Sequence, residues 1–373
     1  MNKTATWMVV IVVVVLGLVL LNKSPEKETG PIKIGFMGPF TGDLANIGKN
    51  AQAAVQIAEE EINAGGGILG RTLEVVYEDD QCTGAPAANA VSKLINTDKV
   101  VAILGATCSG ATLAAAPVAE AAGIPMLSYC STAPAVSDAG DYIFRNVPSD
   151  NFQATFGANY LVGKGLKNVA LVYIKNDWGL GLKDALKSAL AAAGGTLVAE
   201  ESYDPTSKDL RSQMTKVRDA TPDAVYFVGY TDGTIAGLKQ AKELGVTAPL
   251  FGADAWDDSK IWSSLGSVGE GAMYTLVGTN SSDEFKQKMQ AKLGAPDLIY
   301  CSNYAYDGLK ILAKSIERAG ATDGEKVKDA LYKTEYAGGV SSDEIKFDAN
   351  GDPTDANYSI KLIKGGVATE MVE

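Results

Sequence analysis

From residue 32 onward, short runs rich in Val, Ile and other strand formers alternate with longer amphipathic runs, and this rhythm limits the fold more than any other feature. Strands are expected at 32–37, 72–78, 100–104 and 125–128, with helices at 47–64, 85–97 and 109–122 between them. The pattern restarts near Asn151, with strands at 169–174, 197–203, 224–228 and 249–251 and helices at 181–193, 208–220 and 231–244. Parallel strands need a crossover, and a helix is the usual one, so this alternation predicts parallel sheets covered by helices on both faces. The stretches VVAILGATCSGATLAAAPVAEAAGIPMLSYCSTAP, from Val100, and AVYFVGYTDGTIAGLKQAKELGVTAPLFGADAW, from Ala224, repeat one order of parts: strand, Gly-containing turn, helix, Gly break, strand, polar loop. The chain thus reads as α/β, with two doubly wound parallel-sheet lobes.

The tail breaks the rhythm. Helices expected at 302–318 and 325–332 are followed by strands at 344–347 and 358–363, with a turn at Asn350-Gly351. Late strands after late helices imply that the chain crosses between the lobes more than once, which makes a multi-strand hinge. Ligands of open α/β sheets sit at the carboxyl ends of strands. The corresponding loops are 107–110 and 130–132 in one lobe, and 230–233 and 254–256 in the other.

Composition removes several functions. The chain has no histidine, which excludes His-based general bases and most zinc and iron centres. A formal net charge of −12 argues against nucleic acid and against an anionic membrane surface as the main partner. Lys3 precedes an apolar run from Trp7 to Leu21, followed by a polar stretch with Pro and Gly. That run reads as a signal peptide or, preferably, a retained membrane anchor, and either places the rest of the chain outside the cytoplasm. Of the four cysteines, Cys82, Cys108, Cys130 and Cys301, none forms a CxxC pair, and outside the cytoplasm pairing is their expected fate.

Some motifs mislead. Gly65, Gly67 and Gly70 spell G-x-G-x-x-G, but a helix precedes and a strand follows, the reverse of a dinucleotide site. Asp348, Asn350 and Asp352 imitate a calcium loop, but Pro353 stands where that loop needs Gly and Ser359 where it needs Glu. Neither a metal nor a cofactor is expected.

The segments IKIGFMGPFTGDLANIGKN, EEEINAGGGILGRTLEVVYEDDQC, ATCSGAT, GIPMLSYCSTAP, YIKNDWGLGLKDAL, LRSQMTKVRDATPDAVYFVGY, FGADAW and NYAYDGLKIL cover the chain from residue 32 almost to its end. In these the sequence resembles the leucine/isoleucine/valine-binding proteins, the amino-acid receptors of ABC importers, which have the type I periplasmic binding fold. The resemblance implies residues 1–30 as signal or anchor helix and linker, 31–148 with 279–337 as the first lobe, and 149–278 with 338–373 as the second. It also implies a disulfide between Cys82 and Cys108, whereas Cys130 and Cys301 lie outside the family pattern and their pairing stays open.

The family's binding residues carry over one by one. Ser109 matches a hydroxyl that binds the ligand carboxylate, and it opens a helix, where free N–H groups favour an anion. Thr132 matches a contact to both carboxylate and ammonium, and Cys130 a position whose backbone carbonyl accepts from the ammonium. Asp254 falls where the family has an acid facing the ammonium, with Asp257 and Asp258 read as its solvated neighbours. Trp178 and Tyr230 match aromatic cleft walls. Ile47 replaces an aromatic residue of the leucine-type members, which reshapes the side-chain pocket.

The expected function is therefore a monomeric, non-enzymatic receptor that delivers an amino acid, aliphatic or branched-chain, to a permease and its ATPase. A sensory module of the same fold and a receptor for amide- or urea-type ligands are the alternatives. The chain's end just past its last strand favours transport over sensing.

Overall fold

The computed structural model of the protein describes residues 29–294 and 299–371. The apolar N-terminal run, expected as signal or anchor, lies outside the described residues. Among the described residues no helix is long and apolar enough to cross a membrane. Chain contacts divide at Pro31, and the described residues from Ile32 onward form one unit.

The first half runs β1 (Ile32–Gly38), α1 (Ala45–Ala64), β2 (Leu73–Asp79), α2 (Gly84–Lys93), β3 (Ala102–Leu104), α3 (Ser109–Ala122), β4 (Met126–Ser128) and β5 (Ile143–Arg145). The second runs α4 (Asp150–Gly163), β6 (Asn168–Ile174), α5 (Asp177–Ala193), β7 (Thr196–Tyr203), α6 (Arg211–Asp219), β8 (Ala224–Val228), α7 (Thr231–Glu243), β9 (Leu250–Gly252), α8 (Ser259–Leu265) and β10 (Met273–Val277). The tail adds α9 (Asp283–Leu293), α10 (Tyr300–Ala319), α11 (Gly324–Leu331), β11 (Tyr336–Ala337), β12 (Glu344–Ile345), β13 (Tyr358–Lys364) and β14 (Val367–Glu370).

The first sheet has the order β2-β1-β3-β4-β5, all parallel. The second repeats it as β7-β6-β8-β9-β10, also parallel, and then adds β13 and β14 antiparallel at its far edge. This is the internal repeat seen in the sequence. β1 and β8 are buried along almost their whole length, as expected of strands sandwiched between helix layers. β7 is an edge strand and alternates instead, with Thr196, Val198 and Glu200 exposed.

Three segments cross between the sheets: after β5, after β10 and before β13. The long helix α10 returns to the first sheet and packs along α1. The hydroxyl and backbone N–H of Ser341 donate to Asp307 of α10, and Arg145 of β5 pairs with Asp352, so the chain stays with the first sheet to about residue 352. Only β13 and β14 join the second.

Several elements escape the sequence reading for a physical reason. The inner face of α4 is made of Asp150, Gln153, Ala154, Gly157, Ala158 and Leu161, mostly small or polar, so it shows no apolar stripe. β5 is three residues long and is preceded by a short 3-10 turn at Pro134–Asp138 rather than by a full helix, so it falls outside the strand–helix rhythm.

Cys82 and Cys108 lie at disulfide distance, as do Cys130 and Cys301, with Cα–Cα separations of 5.3 and 5.4 Å. Beside the first pair, Asp80 is fully buried. Its Oδ1 accepts from the Cys82 N–H at 2.8 Å, and its Oδ2 has no partner. Burial pushes its pKa up to about 7. A carboxyl raised in the folded state binds more protons there than in the unfolded chain. Its stabilisation is complete below the unfolded value near 4 and is lost as pH rises through about 7. From pH 5 to pH 8 the wild type should therefore lose on the order of 2–4 kcal/mol that Asp80→Asn does not lose. Urea denaturation of both at the two pH values checks this; parallel pH profiles would refute it.

Candidate functional site

The carboxyl ends of the two sheets face one cavity. It is lined by Leu44, Ile47, Thr107, Cys108, Ser109, Cys130, Thr132, Trp178, Tyr230, Asp254, Ala255, Asp257, Ile299, Tyr300 and Cys301, and encloses about 410 Å³ of space between atoms, part of it open to solvent. All seven ligand-binding positions expected from the sequence line it: Ile47, Ser109, Cys130, Thr132, Trp178, Tyr230 and Asp254.

On the first-lobe side, β3 feeds the start of α3, so Ser109 stands at a helix N-terminus. Its hydroxyl accepts from the Ala133 N–H at 3.2 Å and ties the neighbouring loop to the helix. That loop, with Thr132, is held from behind by Arg145, which is wholly buried. Arg145 Nη1 donates to the carbonyls of Thr132 (3.1 Å) and Ala133 (2.9 Å), while Nε and Nη2 grip Asp352 at 2.7 and 2.6 Å. Behind the loop, the Asp150 N–H donates to the Thr132 carbonyl at 2.8 Å. This side therefore presents hydroxyls and helix-terminal N–H groups, a surface suited to an anion.

On the second-lobe side, Asn176 caps α5 by accepting from the Gly179 N–H at 2.8 Å, and the turn it fixes sets Trp178 flat against Tyr230. The two rings stack with centroids 4.9 Å apart and planes at 6°. Asp254 follows β9 in a short 3-10 turn and is 2% exposed. Its Oδ2 accepts from the Tyr300 hydroxyl at 2.7 Å and its Oδ1 from the Ala255 N–H at 2.9 Å. Burial raises its pKa above the ordinary carboxylate value, and the Tyr300 bond partly offsets that. Ile47 and Leu44, on and just before the first turn of α1, supply apolar wall, as does Ile299.

The reading of Asp257 and Asp258 as solvated neighbours fails. Asp257 lines the cavity and accepts from the Tyr274 hydroxyl (3.0 Å) and the Tyr300 N–H (3.1 Å); burial pushes its pKa up to about 6. Asp258 is 1% exposed and accepts from Thr231 Oγ1 (2.7 Å) and Asn46 Nδ2 (3.1 Å). The bond from Asn46 joins the lobes across the cleft, as do those from Tyr300 to Asp254 and Asp257.

Sequence reasoning missed Asp150, Gln153, Arg145 and Tyr300. Asp150 begins α4 directly after its cap Ser149, so the Ser-Asp pair ahead of the restarting rhythm was the available signal. Gln153, with its amide turned to satisfy both neighbours, donates to Asp150 Oδ1 at 3.0 Å and accepts from the Asp254 N–H at 3.0 Å and Thr275 Oγ1 at 3.1 Å. Among the described residues no group of three or more His, Cys, Asp or Glu side chains is arranged to hold a metal ion.

The family profile described as periplasmic binding protein matches residues 31–366. The leucine-, isoleucine-, valine-, threonine- and alanine-binding protein of Pseudomonas aeruginosa is 30% identical over 335 residues, covering 88% of this chain and 89% of that protein. The leucine-binding protein LivK of Thermotoga maritima superposes with a TM-score of 0.85 at 28% identity, over 91% of this chain and 98% of its own. A solute-binding protein of R. palustris, solved with benzoate, shares the fold with a TM-score of 0.82 at 20% identity, over 92% and 96% of the two chains. These relatives are solute-binding proteins rather than enzymes. With two lobes of parallel sheet, a cavity at their facing strand ends and these likenesses, the chain belongs to the periplasmic binding protein family, type I fold, among the leucine/isoleucine/valine-binding substrate receptors of the ABC-transporter type.

Proposed function

We propose that this protein is an extracytoplasmic receptor of an ABC importer that closes around an aliphatic α-amino acid. The observation that carries this is the buried Asp254, which faces the hydroxyls and helix terminus of Ser109 and Thr132 across one cavity. A zwitterion satisfies both sides at once: its carboxylate meets Ser109 and Thr132, and its ammonium meets Asp254 and the Cys130 carbonyl. The side chain then packs on Ile47, Leu44 and the Trp178–Tyr230 stack. An aromatic carboxylate of the benzoate kind brings no cation, and Asp254 would stay buried without a counter-ion. An uncharged amide or urea has the same defect.

The rest of the reading follows from that assignment. The protein acts as a monomer, hands its ligand to a permease with its ATPase, and is held at the membrane by its N-terminal segment. Cys82–Cys108 and Cys130–Cys301 are disulfides formed outside the cytoplasm. The first lobe comprises 31–148 with 279–352, and the second 149–278 with the last two strands.

The test is mass spectrometry of the small molecule that co-purifies with the protein, together with small-angle scattering before and after ligand removal. An aliphatic amino acid and a more compact bound particle are expected. A co-purifying aromatic acid or amide, or an unchanged scattering profile at saturation, would overturn the reading.

A further inference from the structure

We propose that Asp150 and Asp254 work as one acid pair that holds a proton in the ligand-free cleft and releases it when an ammonium group arrives, so that the site selects amines and grips them more tightly as pH rises. This rests on the amino-acid reading above and gives that site a mechanism of selection.

The geometry is that of a shared pair. Both side chains are buried, at 0% and 2% exposure, and the amide of Gln153 touches both residues. Asp254 lines the cavity; Asp150 stands one layer behind, beside Thr132 and Trp178, and its Oδ2 has no partner. The nearest cation is Arg145, from β5, and its guanidinium is already matched to Asp352 and to backbone carbonyls. The other groups that face the pair are phenols: Tyr226 on β8, Tyr230 at the start of α7, Tyr300 on α10 and Tyr358 on β13. Burial raises all four above the ordinary tyrosine value, so they supply no charge. Among the described residues the one remaining ionisable neighbour is another acid, Asp257.

Two buried carboxylates without a free cation cannot both be ionised. Burial, and then the charge of Asp254, hold the proton on Asp150 well above the usual range. Asp254 has a hydrogen-bonded donor on each oxygen, the Ala255 N–H and the Tyr300 hydroxyl, and is the ionised partner. An incoming ammonium beside Asp254 supplies the missing positive charge. The Asp150 O–H bond then breaks, its electron pair stays on the carboxylate, and the proton passes to buffer. The ligand-free protein holds the extra proton, so binding releases one and affinity rises with pH, by up to about tenfold per pH unit. The rise stops once the ligand-free pair has lost its proton.

Calorimetry of the full chain in detergent, with L-leucine, L-isoleucine, L-valine and L-alanine as probes, tests this from pH 5.5 to 8 in buffers of different ionisation enthalpy. Release approaching one proton per ligand is expected, with affinity climbing as pH rises. Asp150→Asn, checked for an intact thermal transition, should still bind through Asp254 but with a nearly flat pH profile and little proton release. Binding by the wild type with no proton release, or unchanged release in Asp150→Asn, overturns the acid pair while the amino-acid reading stands. Binding of none of the four probes at any pH overturns that reading, and the pair with it.

Discussion

Asp254→Ala should lower affinity for an aliphatic α-amino acid by a hundredfold to a few thousandfold. Removing one partner of a buried charge pair costs about 3–5 kcal/mol, because the other charge is left without solvent or counter-ion. The ligand's ammonium would be that stranded charge. The remaining acids do not replace Asp254: Asp150 stands behind Thr132 and Trp178, and Asp257 is engaged by Tyr274 and by the Tyr300 N–H. The fold should survive, since Tyr300 loses one hydroxyl partner at 2.7 Å but keeps its backbone bond to Asp257. Asp254→Asn separates charge from shape. Its one oxygen can still accept from the Ala255 N–H while its amide nitrogen donates to the Tyr300 hydroxyl, so a loss close to that of the alanine variant shows that charge is what binds. Calorimetry on both decides the matter. Losses below about fivefold would mean that Asp254 does not meet the ammonium.

Much of this site is legible in the sequence, because its parts lie at the ends of strongly periodic elements. Ser109, Thr132, Tyr230 and Asp254 each follow a buried strand, and a strand–loop–helix rhythm locates such positions without any knowledge of packing. What the sequence hides are groups whose role depends on distant partners. Asp150 begins a helix with no apolar stripe, and nothing local says that it faces Asp254 more than a hundred positions later. Tyr300 sits on α10, which packs with the first lobe, yet it reaches the second. Asp257 and Asp258 look like a solvated acidic run; the folding of β10 and α1 over them makes them acceptors, Asp257 half-buried and Asp258 buried. Local sequence reports period and turn chemistry, whereas burial of a polar side chain is decided by tertiary closure.

Arg145→Met should destabilise the protein by about 3 kcal/mol and weaken ligand binding as well. Arg145 is fully buried and makes its bonds in two directions. Toward the hinge it clamps Asp352 with two nitrogens and reaches Ser137 Oγ at 2.6 Å; toward the site it supports the carbonyls of Thr132 and Ala133. Methionine fills much of the volume but donates to none of these. Asp352 is left with the Ser137 hydroxyl at 2.7 Å and some access to water, its side chain being 13% exposed, so the cost falls at the lower end of the 3–5 kcal/mol range for a broken buried pair. The double variant Arg145→Met, Asp352→Leu removes both charges and should recover part of the stability, since an apolar replacement of a buried pair is often neutral. It should not recover binding, because the Thr132 loop still lacks its donor. Urea denaturation measures the first effect and calorimetry the second. A stability loss under 1 kcal/mol, or a double variant that binds like the wild type, would show that the loop holds its shape without Arg145.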